Sequence, residues 1–265
     1  MQSIEGKTAV ITGGGSGIGR ATALNLAARG GQVVIADIDA ARASAVAAEV
    51  EAGGGRGLGV RCDVADIDEI RAALDATIAT FGRVDIVMSN VGILAKGLPL
   101  EIPLEAWETV IDVNLLGTVR VLQTFLPPLL AQGSGHVVTT GSTAGLFPYA
   151  YDRLPYAATK GAIVTMTEAL ALYLHPQGIG VSCLCPAGVI TNIMEQVREY
   201  GQPTPVQAPQ VPLISADEAG ALVVQGILDD QLLILTHPVA ADLVRRHGTD
   251  RQAFLEHQLE QGVAP

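Results

Sequence analysis

The sequence predicts an α/β fold, a doubly wound and mostly parallel sheet in one domain. Three observations carry this. Short runs are apolar without alternation, as strands buried on both faces read. These runs alternate with longer segments of helical spacing, the order that builds parallel strands joined by crossover helices. The first run also ends in a glycine cluster that opens the first helix, a ready anion-binding turn.

Each element follows in order. The first strand is Thr8-Ala9-Val10-Ile11, a β-rich run stopped by glycines. Helix 18–29 places Ile18, Ala21, Leu24, Ala27 and Ala28 on one side. The second strand is 33–36, followed by an Ala-rich helix at 40–52 and a strand at 57–62. The rhythm continues with helix 66–81, strand 84–89, helix 104–131, strand 135–140, helix 156–174 and strand 179–184. Residues 186–215 break it. This stretch holds Pro203, Pro205, Pro209 and Pro212, and a loop of that length inside a domain reads as a lid, placed at 190–215. Helix 216–228 and strand 232–235 resume the pattern, and a helical extension is expected over 238–260. No composition shift marks a boundary, so residues 1–265 read as one domain with an extension at 236–265.

Composition narrows the function. With 49% hydrophobic residues the chain has too much apolar surface to remain disordered. Its net charge of −11 repels phosphate backbones, so nucleic acid is not expected as a partner. Three cysteines, with no Cys-x-x-Cys, and five scattered histidines predict neither a disulfide framework nor a metal site. The charge-free stretches 121–151 and 169–194 are cut by Pro127-Pro128, Gly133 and Gly135 and by Pro176, Gly178 and Gly180, so neither is read as a membrane span. Residues 1–7 show no apolar run behind a basic one, and a soluble, cytoplasmic protein is expected.

Thr12-Gly13-Gly14-Gly15-Ser16-Gly17-Ile18-Gly19 lies between the first strand and first helix. Glycines let the backbone turn tightly and approach a pyrophosphate, while the helix N-terminus offers amides and a positive dipole end. No Gly-Lys-Ser/Thr follows, which excludes a P-loop. Asp37 closes the second strand, where an acidic side chain can bind both adenosine ribose hydroxyls and repel a 2′-phosphate. Ser16 adds no basic counter-charge, so NAD is favoured over NADP. Asp39 is the better helix cap, which leaves Asp37 for the ribose. Tyr156 and Lys160 stand four apart, on one face of a helix. An ammonium beside a phenol favours the phenolate, which is how a tyrosine becomes an acid-base catalyst.

Together these features resemble the short-chain dehydrogenase/reductase family, in its compact single-domain branch with a Rossmann-type sheet, over residues 5 to about 236. Further matches support the resemblance. Asp63-Val64 is similar to the adenine site. Ser89-Asn90-Val91-Gly92 resembles the Asn-Asn-Ala-Gly segment. Asn114 in Asp112-Val113-Asn114 and Ser142 in Gly141-Ser142-Thr143-Ala144-Gly145 match catalytic positions. Pro186-Ala187-Gly188-Val189-Ile190-Thr191 is similar to the segment that holds the nicotinamide. Val91 and Ala187 depart from the usual Ala and Gly. Tyr156 follows Ser142 by fourteen residues, one more than the family pattern. Tyr149 and Tyr151 also lie in this loop, but neither has a lysine four residues on.

The resemblance implies hydride transfer between a secondary alcohol and nicotinamide. Tyr156 would be the acid-base, Ser142 would orient the oxygen, Lys160 would tune the phenol and hold the ribose, and Asn114 would hold a relay water. Thr191 would contact the carboxamide or pyrophosphate, and Val189 would offer its backbone to the carboxamide. The expected pocket residues are Ile93, Leu94, Leu146, Phe147, Tyr149, Tyr151, Leu154, Ile193 and Met194. They favour an apolar substrate, an alicyclic, aryl-alkyl or steroid-like alcohol or ketone. Lys96 and Arg153 are the nearby cations. Alternatives are an NADPH-dependent carbonyl or ketoacyl reductase and a non-catalytic NAD(H)-binding redox sensor. The family commonly assembles as homodimers or homotetramers through its long fourth and fifth helices, here 104–131 and 156–174.

Cys183 and Cys185 alternate along the sixth strand and so share one face. They read as buried packing residues.

Overall fold

The elements run β1 (Thr8–Thr12), α1 (Gly17–Ala27), β2 (Gln32–Asp37), α2 (Ala40–Ala52), β3 (Arg56–Arg61), α3 (Ile67–Phe81), β4 (Ile86–Ser89) and β5 (Leu94–Lys96). Then follow α4 (Leu104–Val110), a π-helical segment (Ile111–Leu116), α5 (Gly117–Gln132), β6 (Gly135–Thr140), α6 (Leu154–Leu174) and β7 (Ile179–Cys185). The chain continues with β8 (Val197–Glu199), α7 (Ala216–Leu228), β9 (Leu233–Leu235), α8 (Pro238–Thr249) and α9 (Arg251–Glu260). The computed structural model describes residues 1–204 and 211–261, without the side chains of Met194 and Glu195. Part of the expected lid, the Met194 side chain and the end of the extension therefore lie outside the described residues.

Seven strands form one parallel sheet in the order β3-β2-β1-β4-β6-β7-β9. Strand side chains alternate between its faces. Ala9 and Ile11 join a core with Ile18, Leu26, Val46 and Val223, beneath α1, α2 and α7. Val10 and Val87 join the opposite core with Ile70, Phe125 and Leu174, beneath α3, α5 and α6. The strand order reverses between β1 and β4, and in such sheets ligands bind in the crevice beyond the strands' carboxyl ends. The doubly wound prediction holds.

Caps account for several boundaries. Asp39 accepts from the amides of Ala41 and Arg42 at the start of α2. Ser215 and Glu218 form a reciprocal capping box on α7. In α1 the buried side is Ile18, Ala21, Thr22, Ala23 and Leu26, so Leu26 takes the place expected for Leu24.

Three expectations are corrected. Residues 104–132 form one long rod, but its middle turn is π-helical, and Pro127 and Pro128 lie inside α5 without ending it. By length and composition this rod could cross a membrane, so the prolines do not cut the stretch as expected; it packs Val121, Leu122, Phe125 and Leu129 into the core. Second, the region after β7 is not a plain loop. Asn192–Gln196 is a 3-10 turn, and β8 pairs in parallel with β5. Tyr200 N donates to the Lys96 carbonyl at the end of that pairing. Neither strand is readable from sequence, since each has three residues. Third, the extension breaks at Asp250, whose side chain accepts from Ala253 N and caps α9.

Candidate active site

The glycine turn leaves β1 and enters α1 at the reversal point of the sheet. Gly13 sits at φ 63°, where an L side chain is strained. A Cβ at Gly19 would lie 2.2 Å from the Gly13 carbonyl, so the turn closes only with glycine there. Asn90 holds the turn from the neighbouring strand. Its amide Nδ2 donates to Gly13 O at 3.3 Å, its backbone N donates to Thr12 Oγ1, and its Oδ1 accepts from Thr140 Oγ1. The N-cap Ser16 makes no side-chain cap bond, and the first turn of α1 carries no acidic residue. The amides that begin a helix have no intrahelical acceptor. Thr191 faces this end of the helix, 3.3 Å from the Cβ position of Gly17.

Asp37 is buried at the end of β2. Its Oδ2 accepts from Gly15 N at 2.9 Å and its Oδ1 from Asp39 N at 3.0 Å. The carboxylate is therefore engaged with the turn, while Asp39 caps α2 as expected. Arg42, which sequence reasoning missed, packs its Cβ beside the Gly15 position and pairs with Asp39 at 3.4 Å. Along the adjacent edge, Asp63 Oδ1 accepts from Ala65 N, while Val64 is buried against Gly117. These features fit a dinucleotide: a close-approach turn, a helix N-terminus without an internal anion, and a carboxylate at the ribose end.

Beyond β6 the chain passes Gly141, where a Cβ would lie 2.9 Å from Cys185 Sγ and 3.0 Å from Cys183 Sγ. Those two thiols share one face, 3.7 Å apart. Ser142 then starts a 3-10 turn, accepting from Ala144 N. Gly145 rests directly on the backbone of Lys160 and Gly161, with no room for a side chain. This contact presses the serine turn against α6 and brings Ser142 close enough to Tyr156 to lower its pKa.

Lys160 is 2% exposed; its Nζ donates to the Thr140 carbonyl at 2.7 Å and lies 5.6 Å from the Tyr156 ring centre. Gly92 leaves space for it, since a Cβ there would lie 3.1 Å from Nζ. Burial pushes the Tyr156 phenol up to about 12, and the nearby Tyr149 phenol adds to this. Burial pushes Lys160 down to about 8. In the protein alone desolvation therefore outweighs the lowering influence of Ser142 and of the Arg153 charge on the phenol.

Asn114 sits in the π-helical segment, fully buried. Its Oδ1 accepts from Ile93 N at 2.8 Å, and its Nδ2 donates to Ile93 O and to Thr159 Oγ1. Its carbonyl accepts the Thr118 hydroxyl. The side chain thus clamps the segment after β4 onto the helix that carries Tyr156.

Pro186, Val189 and Thr191 line the exit of β7. The Pro186 carbonyl accepts from Thr143 N and Oγ1. Ala187 N donates to Thr236 Oγ1, and Ala187 is not among the positive-φ residues, so its side chain costs no strain. Val189 bridges to Ile214 and Thr191 caps the 3-10 turn.

The expected pocket residues separate. Phe147 and Leu94 are core residues, and Ile93 packs with Ile102 and Trp107. Leu146 packs beside the thiol pair. Lys96 and Arg153 are spent on a carboxylate that sequence reasoning passed over. Asp152 is buried and accepts from Arg153 at 2.8 Å and Thr204 Oγ1 at 3.0 Å, with Lys96 at 3.7 Å.

The chain matches the family model for short chain dehydrogenases over residues 7–201. It is 32% identical over 235 residues to a 3-oxoacyl-[acyl-carrier-protein] reductase from Synechocystis sp., covering 84% of this chain and 94% of that enzyme. It is 33% identical over 231 residues to a cyclohexanol dehydrogenase from Acinetobacter sp., covering 87% and 90%. The crystal structure of a short chain dehydrogenase/reductase from Burkholderia phymatum, in complex with NAD, superposes with a TM-score of 0.87 at 33% identity and covers 96% of both chains. With motif, fold and site in agreement, the chain belongs to the short-chain dehydrogenase/reductase family of oxidoreductases.

Proposed function

We propose that this chain is an NAD-dependent dehydrogenase that interconverts an uncharged, largely apolar secondary alcohol and its ketone, with an alicyclic, aryl-alkyl or steroid-like skeleton. One observation carries the reading: Ser142, Tyr156 and Lys160 converge across the sheet's reversal point from the glycine turn. Bound nicotinamide supplies the hydride acceptor and a positive charge. The turn 12–19, Asp37, Asp63, Asn90 and Thr191 hold the dinucleotide. Tyr156 takes the carbinol proton, Ser142 orients the same oxygen, and Lys160 grips the nicotinamide ribose. Asp37 supports NAD, because a buried carboxylate at the ribose end repels a 2′-phosphate. The engagement of Lys96 and Arg153 with Asp152 supports an uncharged substrate. Exposed Leu104 and Leu116 on the long rod, and Leu172 and Tyr173 on α6, support a homodimer or homotetramer through these helices.

The test follows the near-ultraviolet absorbance of reduced nicotinamide. Protein is mixed with NAD or NADP and a panel of cyclic, aryl-alkyl and steroid alcohols. Reduction of NAD, lost by a factor of about 10² to 10⁴ in Tyr156→Phe, is the expected result. Binding of NADH without turnover on any alcohol or ketone sinks the reading in favour of a sensor. Turnover confined to NADPH and ketoacyl thioesters replaces it with a biosynthetic reductase, the class of the Synechocystis relative.

A further inference from the structure

A buried carboxylate that the proposed chemistry does not use ties three segments together. Asp152, at the end of the loop before α6, is fully buried. Its Oδ1 accepts from Arg153 Nε at 2.8 Å and its Oδ2 from the Thr204 hydroxyl at 3.0 Å, with Lys96 Nζ at 3.7 Å. Its backbone carbonyl accepts from Gly97 N at 2.8 Å. Lys96, at the end of β5, reaches on to the Thr204 carbonyl at 3.2 Å and to Glu199 Oε1 at 3.5 Å. Thr204 and Glu199 belong to the arm that follows β7. This arm is held at other points too. Val197–Glu199 pair with β5, Tyr200 packs against the cluster of Ile102 and Val110, and Gln202 N donates to Glu101 Oε2. At the far end of the arm, Thr191 faces the cofactor turn at Gly17. The stretch 191–204 therefore runs from the cofactor turn to the start of the helix that carries Tyr156, and it includes Ile193, one of the expected pocket residues. The Arg153 guanidinium lies 5.7 Å from the ring centre of Tyr149, another of them.

We propose that Asp152 is a positioning residue for the substrate: its carboxylate latches the arm 191–204 to the start of the tyrosine helix, and so sets the affinity for the alcohol without touching it. The inference rests on the proposed function. A buried carboxylate is tolerated only while its charge is paired and its oxygens are hydrogen-bonded. Here that condition is met by residues of β5, the loop before α6 and the arm, all in place at once. Withdrawal of the arm takes the Thr204 hydroxyl from Asp152, and takes the Thr204 carbonyl and Glu199 from Lys96. The two buried charges then lose their remaining polar partners together, which holds the arm closed. A neutral amide at position 152 has the same size but cannot balance the cations, so it loosens the latch. The turn 12–19 and Asp37 are carried by β1, α1 and β2, away from this cluster, so the effect falls on the alcohol more than on the dinucleotide.

Two variants test the latch. Asp152→Asn removes the charge. Thr204→Val removes only the hydroxyl of the arm, at a half-buried position, and leaves the carboxylate paired with both cations, so it decides the matter even if the first variant does not fold. The first readout is trypsin cleavage after Arg198, an exposed residue of β8 whose backbone pairs opposite Ala95. Cleavage there requires the arm to open, and its rate follows the open population. Each variant is expected to be cut about tenfold faster than wild type, the value of one hydrogen bond to a charged group. The second readout is steady-state oxidation of a cyclic alcohol. KM for the alcohol is expected to rise about tenfold, with kcat and the Kd for NADH each changed by less than about twofold. A merely structural role lowers kcat with the folded fraction and leaves KM alone. Cleavage of Thr204→Val at the wild-type rate, or faster cleavage with KM unmoved, overturns the inference. Faster cleavage in a protein that oxidises no alcohol upholds the latch and defeats the turnover reading instead.

Discussion

Tyr156 and Lys160 show how opposed single-residue effects balance. Burial drives the phenol up to about 12 and the ammonium down to about 8, so each group is held in its neutral form more strongly than in water. A phenol in that state is a weaker acid than in water. Under the proposed function, the positive charge of bound nicotinamide would favour the phenolate and lower that value. Asp37 illustrates a residue with two duties. It was expected to be free for the ribose, but it also ties Gly15 and Asp39 to the end of β2. Asp37→Asn is the informative change, since it retains an acceptor while removing the charge. Its ratio of kcat/KM with NAD to that with NADP is expected to fall by about tenfold or more, from one lost charge–phosphate repulsion. An unchanged ratio shows that the carboxylate serves only the turn.

At the scale of elements, close backbone approaches place the chemistry. Gly145 on Gly161 sets the distance from the serine turn to α6, and Gly19 over Gly13 closes the cofactor turn. Gly19→Ala puts a Cβ into the Gly13 carbonyl and forces the turn open. Affinity for NADH, read by fluorescence titration, is expected to drop at least about tenfold, with the far-ultraviolet circular dichroism unchanged. Undiminished affinity shows that the turn accommodates a methyl group. The π-helical segment does comparable work: its wider turn seats Asn114 against Ile93 and Thr159. The boundaries of the rod were legible as apolar helical spacing. The extra residue in its middle turn was not, because nothing in the residues 111–116 breaks that spacing. The β5–β8 pairing was equally silent, since it is made by backbone groups of segments about a hundred residues apart.

Across the whole molecule, the amino-terminal end of the sheet, opposite the candidate active site, carries a buried titratable group. His136 Nε2 meets Ser182 Oγ at 2.8 Å, and Ser182 donates onward to the Gln231 carbonyl. Nε2 is therefore the protonated nitrogen, and Nδ1 is buried with no hydrogen-bond partner, 3.7 Å from Asp230. Burial lowers the ring to about 4 from an ordinary 6.5. Because the folded value lies below the unfolded one, the unfolded chain takes up the proton first as pH falls. Stability is unaffected by this group above 6.5, declines below it, and reaches the full loss below 4. Urea unfolding at pH 7 and pH 4.5 is expected to show wild-type protein losing on the order of 2 kcal/mol more than His136→Gln over that interval. Equal losses in the two proteins show that the ring is not kept neutral by the fold.

The doubly wound sheet, the cofactor turn and the Tyr-x-x-x-Lys pair were legible because they are local. Hydrophobic period, glycine and capping chemistry act within a few residues, so a linear reading recovers them. Thr12, Asn90 and Ser142 could be named from sequence, but not the bonds they make. Those bonds, the clamp of Asn114 on Ile93, and the reach of Lys96 to the Asp152 carboxylate join residues from different strands or loops. Phe254 is the clearest case. In the sequence it is one of a few apolar residues in a polar tail, but folded it lies against Phe147, more than a hundred residues away. Such contacts depend on where the sheet order carries each chain end, which no local pattern encodes.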